Sequence, residues 1–161
     1  MLIEVRAADL GDLALLVALN QPAQSLHAGL CPEDFKAEPD PEEIRAFFRA
    51  QLGEPGSLMA IAWIDAVAAG YVWLDVAVQL ETAFLRERSY LVVQQLAVAP
   101  GLRRRGVGRA LIGYAEQVAR DRGLGWIDLG TWAANAEARA FFAAVGFATT
   151  SLVLRRLVGG G

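Results

Sequence analysis

The stretch that decides the fold runs from Tyr90 to Arg122 and reads YLVVQQLAVAPGLRRRGVGRALIGYAEQVARDR. Its first part, Tyr90 to Val98, is rich in β-branched and aliphatic residues and stops before Pro100-Gly101, which predicts a strand. Its last part carries apolar residues at helical spacing from Val107 to Val118, which predicts a helix. The stretch is therefore a strand, a tight turn of arginines and glycines, and a long helix.

The turn between the two elements, RRRGVG at 103–108, has the features of an anion site. Backbone N–H groups at a helix start lack partners and carry the positive end of the helix dipole, so a phosphate gains donors and a favourable field there. Gly106 and Gly108 let a ligand approach the backbone closely. The spacing fits neither a Walker loop nor a dinucleotide fingerprint. A solvated charge run is the alternative, but the strand-to-helix junction favours a pyrophosphate site.

Outside this stretch, residue patterns predict the other elements. Before it come a strand at 2–6, a helix capped by Asp9, an irregular connection at 21–40, a helix starting at Asp40-Pro41, and strands at 58–64 and 67–78 joined near Asp65-Ala66. After it come a strand at 126–131, a helix at 135–145 capped by Asn135 and ended by Gly146, and a final strand or hairpin at 151–158. Gly70, inside a strand, indicates a bulge or a close backbone contact. This order predicts a mixed α/β fold in which the strands at 90–98 and 126–131 are parallel neighbours.

Length and composition favour one soluble domain. The chain has 161 residues and 55% hydrophobic content, so we expect a single domain at 1–158 with a disordered glycine tail at 159–161. The absence of a long apolar run and of a leader predicts a cytoplasmic protein that does not bind membranes. A net charge of -3 predicts no general affinity for nucleic acid. With one cysteine and one histidine, we expect no internal disulfide and no metal site.

Two sequence blocks resemble the GNAT superfamily of N-acetyltransferases. Arg103, Gly106 and Gly108 match the family pattern Gln/Arg-x-x-Gly-x-Gly/Ala. The second block, NAEARAFFAAVGF at 135–147, is similar to the family's Asn-x-x-Ala-x-x-Phe-Tyr-x-x-x-Gly-Phe. Both lie in the C-terminal half, in the family's order. The resemblance implies a GNAT-like fold: a central, mostly antiparallel sheet with a splayed parallel strand pair, flanked by helices.

The resemblance also implies acetyl-CoA as a cosubstrate, bound in the gap between the splayed strands. Backbone groups of Leu96, Ala97 and Val98 would bind its pantetheine arm. The residues implied at the pyrophosphate are Arg103, Arg104, Arg105, Gly106, Val107, Gly108 and Arg109. Asn135 and Phe142 would lie beside the arm, although Asn135 also serves as a helix cap.

The family's chemistry needs a neutral amine, a donor for the developing oxyanion and, optionally, an acid for the departing thiolate. The resemblance implies the backbone N–H of Leu96, or of Ala97, as the oxyanion donor. Phe142 stands where the family places an acidic tyrosine, and it cannot donate a proton. Tyr114 is the nearest hydroxyl, but its helical spacing favours packing.

No base is evident on the core strand, where many family members carry a glutamate. Gln95 can bond an amine or a water without taking a proton. His27 is a candidate base because histidine titrates near neutral pH. The other candidates are Asp128, Glu81 and Glu87, for each of which a surface or structural role is the favoured interpretation.

We therefore expect an acyltransferase of the GNAT N-acetyltransferase type (EC 2.3.1.-) that moves an acetyl group from acetyl-CoA to a primary amine of a small molecule or peptide, by direct attack in a ternary complex. One alternative is a non-catalytic acyl-CoA-binding module, and another is a domain whose turn binds some other anion. The exposed edge of the final strand would allow a homodimer. The loops that should choose the acceptor carry no readable code.

Overall fold

Runs rich in apolar residues form the strands, and apolar residues at helical spacing form the helices between them. A computed structural model describes residues 1–159, which form one unit at Met1–Gly130 and a second that begins at Thr131. The first unit contains β1 (Ile3–Ala7), a 3-10 turn (Leu10–Asp12), α1 (Leu13–Leu30), α2 (Pro41–Leu52), β2 (Ser57–Ile64), β3 (Val67–Gln79), β4 (Arg88–Val98), a 3-10 turn (Pro100–Leu102), α3 (Val107–Asp121) and β5 (Ile127–Leu129). The second contains α4 (Ala136–Ala144). Residues 160 and 161 of the predicted tail at 159–161 lie outside the described residues.

The first unit is built on one five-stranded sheet in the order β1-β2-β3-β4-β5. Neighbouring strands are antiparallel except β4 and β5, which are parallel. Because α3 connects the parallel pair, it crosses over one face of the sheet. The predicted mixed α/β fold and its parallel pair are confirmed.

Each face of the sheet has its own hydrophobic core. On one face, Val107, Leu111 and Ala115 of α3 are buried against alanine, valine and leucine side chains from β2, β3 and β4. On the other, Leu13, Leu16 and Leu19 of α1 and Phe48 of α2 are buried with Tyr71, Trp73 and other strand residues. The apolar stripes of α1, α2 and α3 face the sheet, as helical periodicity predicts. None of the helices in residues 1–159 is both long and apolar enough to cross a lipid bilayer.

Short polar side chains fix the helix starts. The Asp9 carboxylate accepts from the Gly11 N–H, and Asp12 completes a reciprocal capping box. Asp40 accepts from the Glu42 N–H ahead of Pro41, as the sequence predicts. Glu43 pairs with Lys36 at 3.2 Å. In the second unit Asn135 caps α4, and Gly146 follows that helix with a left-handed φ of 100°.

The prediction of an irregular connection from Gln21 to Asp40 is wrong for its first half. Helix α1 continues through Pro22 to Leu30, so only residues 31–40 connect α1 to α2. Pro22 removes one helical N–H donor, which normally breaks a helix. The apolar residues of α1, including Ala23 beyond the proline, pack on the sheet. This packing compensates for the lost hydrogen bond because tertiary contacts supply most of a helix's stability.

The prediction of a final strand at Ser151–Val158 is also wrong. Residues 148–159 contain no helix or strand, and the sheet of the described chain ends at β5. The apolar side chains in this segment are strongly exposed; they belong to Leu152, Val153, Leu154, Leu157 and Val158. A segment rich in leucine and valine forms a strand only where a neighbouring strand pairs with its backbone.

Gly70 lies at the closest approach of β3 and β4. A Cβ atom on Gly70 would lie 2.5 Å from the Ala97 carbonyl oxygen and 3.3 Å from the Val98 Cα. The register between β2 and β3 also shifts opposite this position, between Ala62 and Trp63. The predicted bulge or close contact at Gly70 is therefore confirmed, and a glycine here allows β4 to approach β3.

We predict that Gly70→Ala lowers the free energy of unfolding by about 2 kcal/mol, because backbone atoms of β4 must move to admit the methyl group. Gly113→Ala is the matched control: Gly113 is exposed in α3, and a Cβ there would meet nothing within 4 Å. The control should raise the free energy of unfolding by about 0.5–1 kcal/mol through helix propensity. Urea denaturation measures both changes. Equal stability of the two variants would contradict the close contact at Gly70.

Candidate active site

Strand β4 is bulged in its middle. It pairs with β3 along its whole length, but Trp73 is opposite Gln95 while the next residue, Leu74, is opposite Val93. Gln94 is therefore an extra residue in β4. A bulge of this kind bends a strand and increases its local twist.

On its other edge, β4 loses its partner at the bulge. The parallel pairing with β5 consists of Leu91 with Ile127, Val92 with Asp128, and Val93 with Leu129. β5 ends at Leu129, whereas β4 continues to Val98. On this edge, the backbone from Gln94 to Val98 therefore faces a gap, which β5 would fill if it were longer.

The hydrogen bonds to β3 show which groups face this gap. The Ala99 N–H donates to the Ala69 carbonyl at 2.8 Å, so Ala99 faces β3. Because successive residues of a strand point their N–H groups to opposite sides, Ala97 also faces β3, and Leu96 and Val98 face away from it. Two backbone N–H donors, one residue apart, are thus presented to the gap.

The arginine and glycine turn follows directly. Gly106 precedes α3 with a φ of 88°, and Arg104 has a φ of 59°, so both occupy the left-handed region. Such residues turn successive backbone N–H groups toward one concave side, which suits an anion. No side chain at Gly106 caps α3, and the helix N–H groups at Val107, Gly108 and Arg109 belong to its first turn.

Buried packing holds this turn in place. Val107, at the first position of α3, is buried in the core together with Leu111. Arg104, Arg105 and Arg109 are exposed around the helix start, where they add positive charge to the helix dipole. The geometry is suited to a pyrophosphate at the turn and to an extended, amide-containing chain along Leu96 and Val98.

A pocket of about 320 Å³ opens on the face of the sheet that α1 and α2 cover, next to the bulge. Its lining combines aromatic and polar side chains: Asn20, Gln24, Asp34, Phe35, Lys36, Pro39, Glu43, Ile44, Phe47, Phe48 and Gln95. Gln95 is the β4 residue in this lining. The pocket therefore reaches the strand that also borders the gap.

A chain of hydrogen bonds crosses from α1 to this strand. The Asn20 Nδ2 donates to Tyr71 Oη at 2.9 Å, and Tyr71 Oη donates to Gln95 Oε1 at 2.6 Å. Tyr71 is 1% exposed, and its burial raises the pKa of the phenol above its usual value. The phenol therefore stays protonated at neutral pH. The sequence patterns do not predict Asn20 or Tyr71 as site residues, although the polar Asn20 on the apolar face of α1 is a signal.

His27 lies in the last turn of α1 and not in an irregular loop. Its Nδ1 atom is 2.9 Å from the Ala23 carbonyl oxygen, and its ring stacks on Phe35 at a centroid distance of 5.0 Å. Phe35 lines the pocket, but His27 is not part of the lining. The structure thus places His27 behind the pocket wall, in a packing contact.

Asp128, considered as a base from the sequence, lies in an ion pair. Arg88 binds its two carboxylate oxygens with both terminal nitrogens, at 2.7 and 3.3 Å. This hydrogen bonding raises the pKa of the Arg88 guanidinium, which also lies 4.0 Å above the Tyr90 ring. Asp128 therefore joins β5 to the start of β4. Glu81 and Glu87, the other acidic candidates, are exposed in the link before β4.

The second unit holds the remaining predicted site residues. Asn135 is buried, and its Oδ1 accepts from the Ala138 N–H at 3.1 Å as the cap of α4. Phe142 packs on Phe141 and Phe147, with centroid distances of 5.2 and 5.8 Å. Phe142 is thus a member of an aromatic cluster, and it brings no hydroxyl group.

Tyr114 belongs to the α3 side of the sheet. It is partly buried against the core of that face, and burial raises the pKa of its phenol. Its packing is as helical spacing predicts. Among residues 1–159, no three His, Cys, Asp or Glu side chains gather closely enough to hold a metal ion.

Comparisons with known proteins agree with this geometry. Residues 14–147 match the Acetyltransferase (GNAT) family. An uncharacterized N-acetyltransferase from the pepI 3' region of Lactobacillus delbrueckii subsp. lactis is 27% identical over 124 residues, which are 71% of this chain and 70% of the relative.

Solved structures of low sequence identity share the fold. A mutant of the BH1408 protein from Bacillus halodurans has a TM-score of 0.87 at 16% identity, covering 96% of this chain and 99% of that one. The aminoglycoside N-acetyltransferase AAC(6')-Iy, in complex with CoA, has a TM-score of 0.75 at 18% identity, covering 98% and 95%. A predicted acetyltransferase from Clostridium acetobutylicum, with acetyl-CoA, has a TM-score of 0.72 at 18% identity, covering 97% and 96%.

The family match extends from α1 to Phe147, and so includes the bulged strand, the glycine turn and the second sequence block. It covers well over half of the chain. The chain belongs to the acetyltransferase (GNAT) family.

Proposed function

We propose that this protein is an N-acetyltransferase that moves the acetyl group of acetyl-CoA to a primary amine of a small molecule or peptide, by direct attack in a ternary complex. The observation that carries the proposal is the gap beside β4, which presents the Leu96 and Val98 N–H groups next to a glycine turn at a helix start. Two of the similar structures hold CoA or acetyl-CoA, which supports this cosubstrate.

The described residues fit the cosubstrate in two places. The N–H groups at 106–109 and the arginines around them suit its pyrophosphate. The N–H group of Val98 suits an amide oxygen of its extended arm, which would replace the missing strand pairing, and this leaves the N–H group of Leu96 for the thioester oxygen. When bound, acetyl-CoA supplies the acetyl thioester.

Leu96 is the better of the two candidate oxyanion donors. Its N–H group faces the gap, whereas the Ala97 N–H faces β3. A fixed backbone donor aimed at the thioester oxygen stabilises the negative charge that develops there during attack. Gln95 precedes Leu96 in sequence and lines the pocket on the α1 and α2 face of the sheet, from which an amine would approach.

A non-catalytic acyl-CoA-binding module is the second candidate, because two expected catalytic groups are missing. The core strand carries Gln95 and no carboxylate, and Phe142 carries no hydroxyl group. Binding of acetyl-CoA without release of thiol across a panel of amines would favour this candidate.

We predict that the protein binds acetyl-CoA and releases free thiol in the presence of a suitable primary amine. Gly108→Leu should weaken binding at least tenfold, because a side chain in the first turn of α3 keeps the pyrophosphate from the backbone. Gly108 has no left-handed φ, so the fold should survive the change. Calorimetric titration measures the affinity, and a thiol reagent measures turnover.

Gly113→Leu is the matched control for this titration. Gly113 lies in the same helix, and its surroundings are open. The control should bind acetyl-CoA as the unmodified protein does. Equal affinity of both variants for acetyl-CoA would show that the turn is not part of the binding site. If the unmodified protein does not bind acetyl-CoA, the proposed function is contradicted.

The departing thiolate provides a second prediction. Since Phe142 cannot protonate it, Phe142→Tyr should raise the rate of thiol release about tenfold when chemistry limits turnover. Tyr114→Phe should change the rate less than twofold, because the Tyr114 ring packs against the core. Steady-state rates at saturating acetyl-CoA measure both effects. A loss of tenfold or more in Tyr114→Phe would identify Tyr114 as the acid.

The pH profile provides a third prediction. Gln95 cannot accept a proton from the ammonium form of the acceptor. The rate should therefore depend on the fraction of the amine that is already neutral. We expect kcat/KM to rise with pH up to the pKa of the amine, and its midpoint to follow the amine when two amines of different pKa are compared. A midpoint that stays fixed for both amines would show that the protein supplies its own base.

A further inference from the structure

The hydrogen-bond chain from Asn20 to Gln95 has a defined direction. Asn20 donates to Tyr71 Oη, and the single hydroxyl proton of Tyr71 is donated to Gln95 Oε1. Burial raises the pKa of Tyr71, so the phenol remains a donor at neutral pH. Asn20 cannot ionise, so the chain ends there and provides no route for a proton. Tyr71 is therefore suited to hold Gln95 in place and not to act as an acid or base.

This direction determines what Gln95 offers to the pocket. A glutamine amide has one acceptor oxygen and one nitrogen with two donors. Tyr71 binds Oε1, and the Nε2 group, which has no hydrogen-bond partner among the described residues, is the donor that this pocket-lining side chain can offer to a ligand. Phe35, Phe47 and Phe48 form apolar parts of the same lining. An amide donor beside apolar walls is stabilised by a ligand oxygen that accepts its hydrogen bond.

The charged side chains of the pocket lining indicate which kind of ligand oxygen Gln95 can bind. Asp34 and Glu43 are acidic and Lys36 is the one basic side chain of the lining, paired with Glu43 at 3.2 Å. A ligand carboxylate would find Lys36 already paired with a carboxylate, whereas a neutral carbonyl oxygen needs no counter-ion. The volume of about 320 Å³ is at the small end for ligand pockets. These features fit a small amine that carries an amide carbonyl near its amino group.

We infer that Gln95, positioned by Tyr71, selects acceptor amines of the aminoacyl-amide type through a hydrogen bond from Nε2 to the carbonyl oxygen. This assignment rests on the proposed acetyl transfer and names the acceptor class for the same site. It makes Gln95 a specificity-determining residue and Tyr71 a positioning residue.

The experiment compares kcat/KM for glycinamide and for propylamine, each expressed per neutral amine. The unmodified protein should favour glycinamide about tenfold or more. Gln95→Glu keeps an oxygen for Tyr71 and replaces the donors with a second oxygen, so the ratio should fall at least tenfold even if the new carboxylate speeds both reactions as a base. Tyr71→Phe frees the amide to rotate, and the ratio should fall about threefold to tenfold.

Tyr114→Phe is the matched control for Tyr71→Phe, since it removes a phenol hydroxyl from the other face of the sheet, and it should keep the ratio of the unmodified protein. Thermal unfolding tests whether Tyr71→Phe is folded, and Gln95→Glu tests the proposal independently of that result. The same ratio in the unmodified protein and in Gln95→Glu would overturn the inference. Failure to acetylate glycinamide, while another amine of the panel releases thiol, would overturn the inference and leave the proposed transfer in place, whereas an absence of thiol release with every amine of the panel would overturn the transfer itself.

Discussion

The structure depends on the place where β4 and β5 stop pairing. Up to Val93 the two strands form a parallel ladder, and beyond the bulge at Gln94 only β3 remains beside β4. Backbone N–H groups left without a partner are costly in an interior but useful at a binding site, where a ligand can satisfy them. The bulge thus divides β4 into a half that holds the sheet together and a half that is available to a ligand.

The elements around β4 keep this division in place. The close approach at Gly70 holds the second half of β4 against β3, so the strand remains extended where β5 is absent. Buried Val107 anchors the start of α3, and with it the glycine turn, just beyond the end of β4. A short distance along the chain therefore separates the two groups of N–H donors. Core packing sets the relative position of the β4 donors and the turn donors. The exposed arginines contribute mainly positive charge.

The other face of the sheet serves a different part of the same site. Helix α1 passes Pro22 without ending, and this continuity places Gln24 of the pocket lining on the same helix as Asn20. The hydrogen bonds from Asn20 to Tyr71 and from Tyr71 to Gln95 favour one orientation of the Gln95 amide. His27 and Asp128, the ionisable candidates with named partners, are held in contacts with Phe35 and Arg88. The site thus offers fixed hydrogen-bond donors on both sides of β4.

The sequence by itself determined the features that are encoded within a few neighbouring residues. The strand, glycine turn and helix at 90–122, the caps at Asp9, Asp40 and Asn135, and the family resemblance all follow from local spacing. Only the tertiary structure decided that α1 continues past Pro22, that no strand forms at 151–158, and that Tyr71 orients Gln95. The reason is sequence separation: Asn20 and Tyr71 are 51 residues apart, and Tyr71 and Gln95 are 24 apart. No local pattern reports such contacts, because they exist only once the packed sheet brings the strands and α1 together.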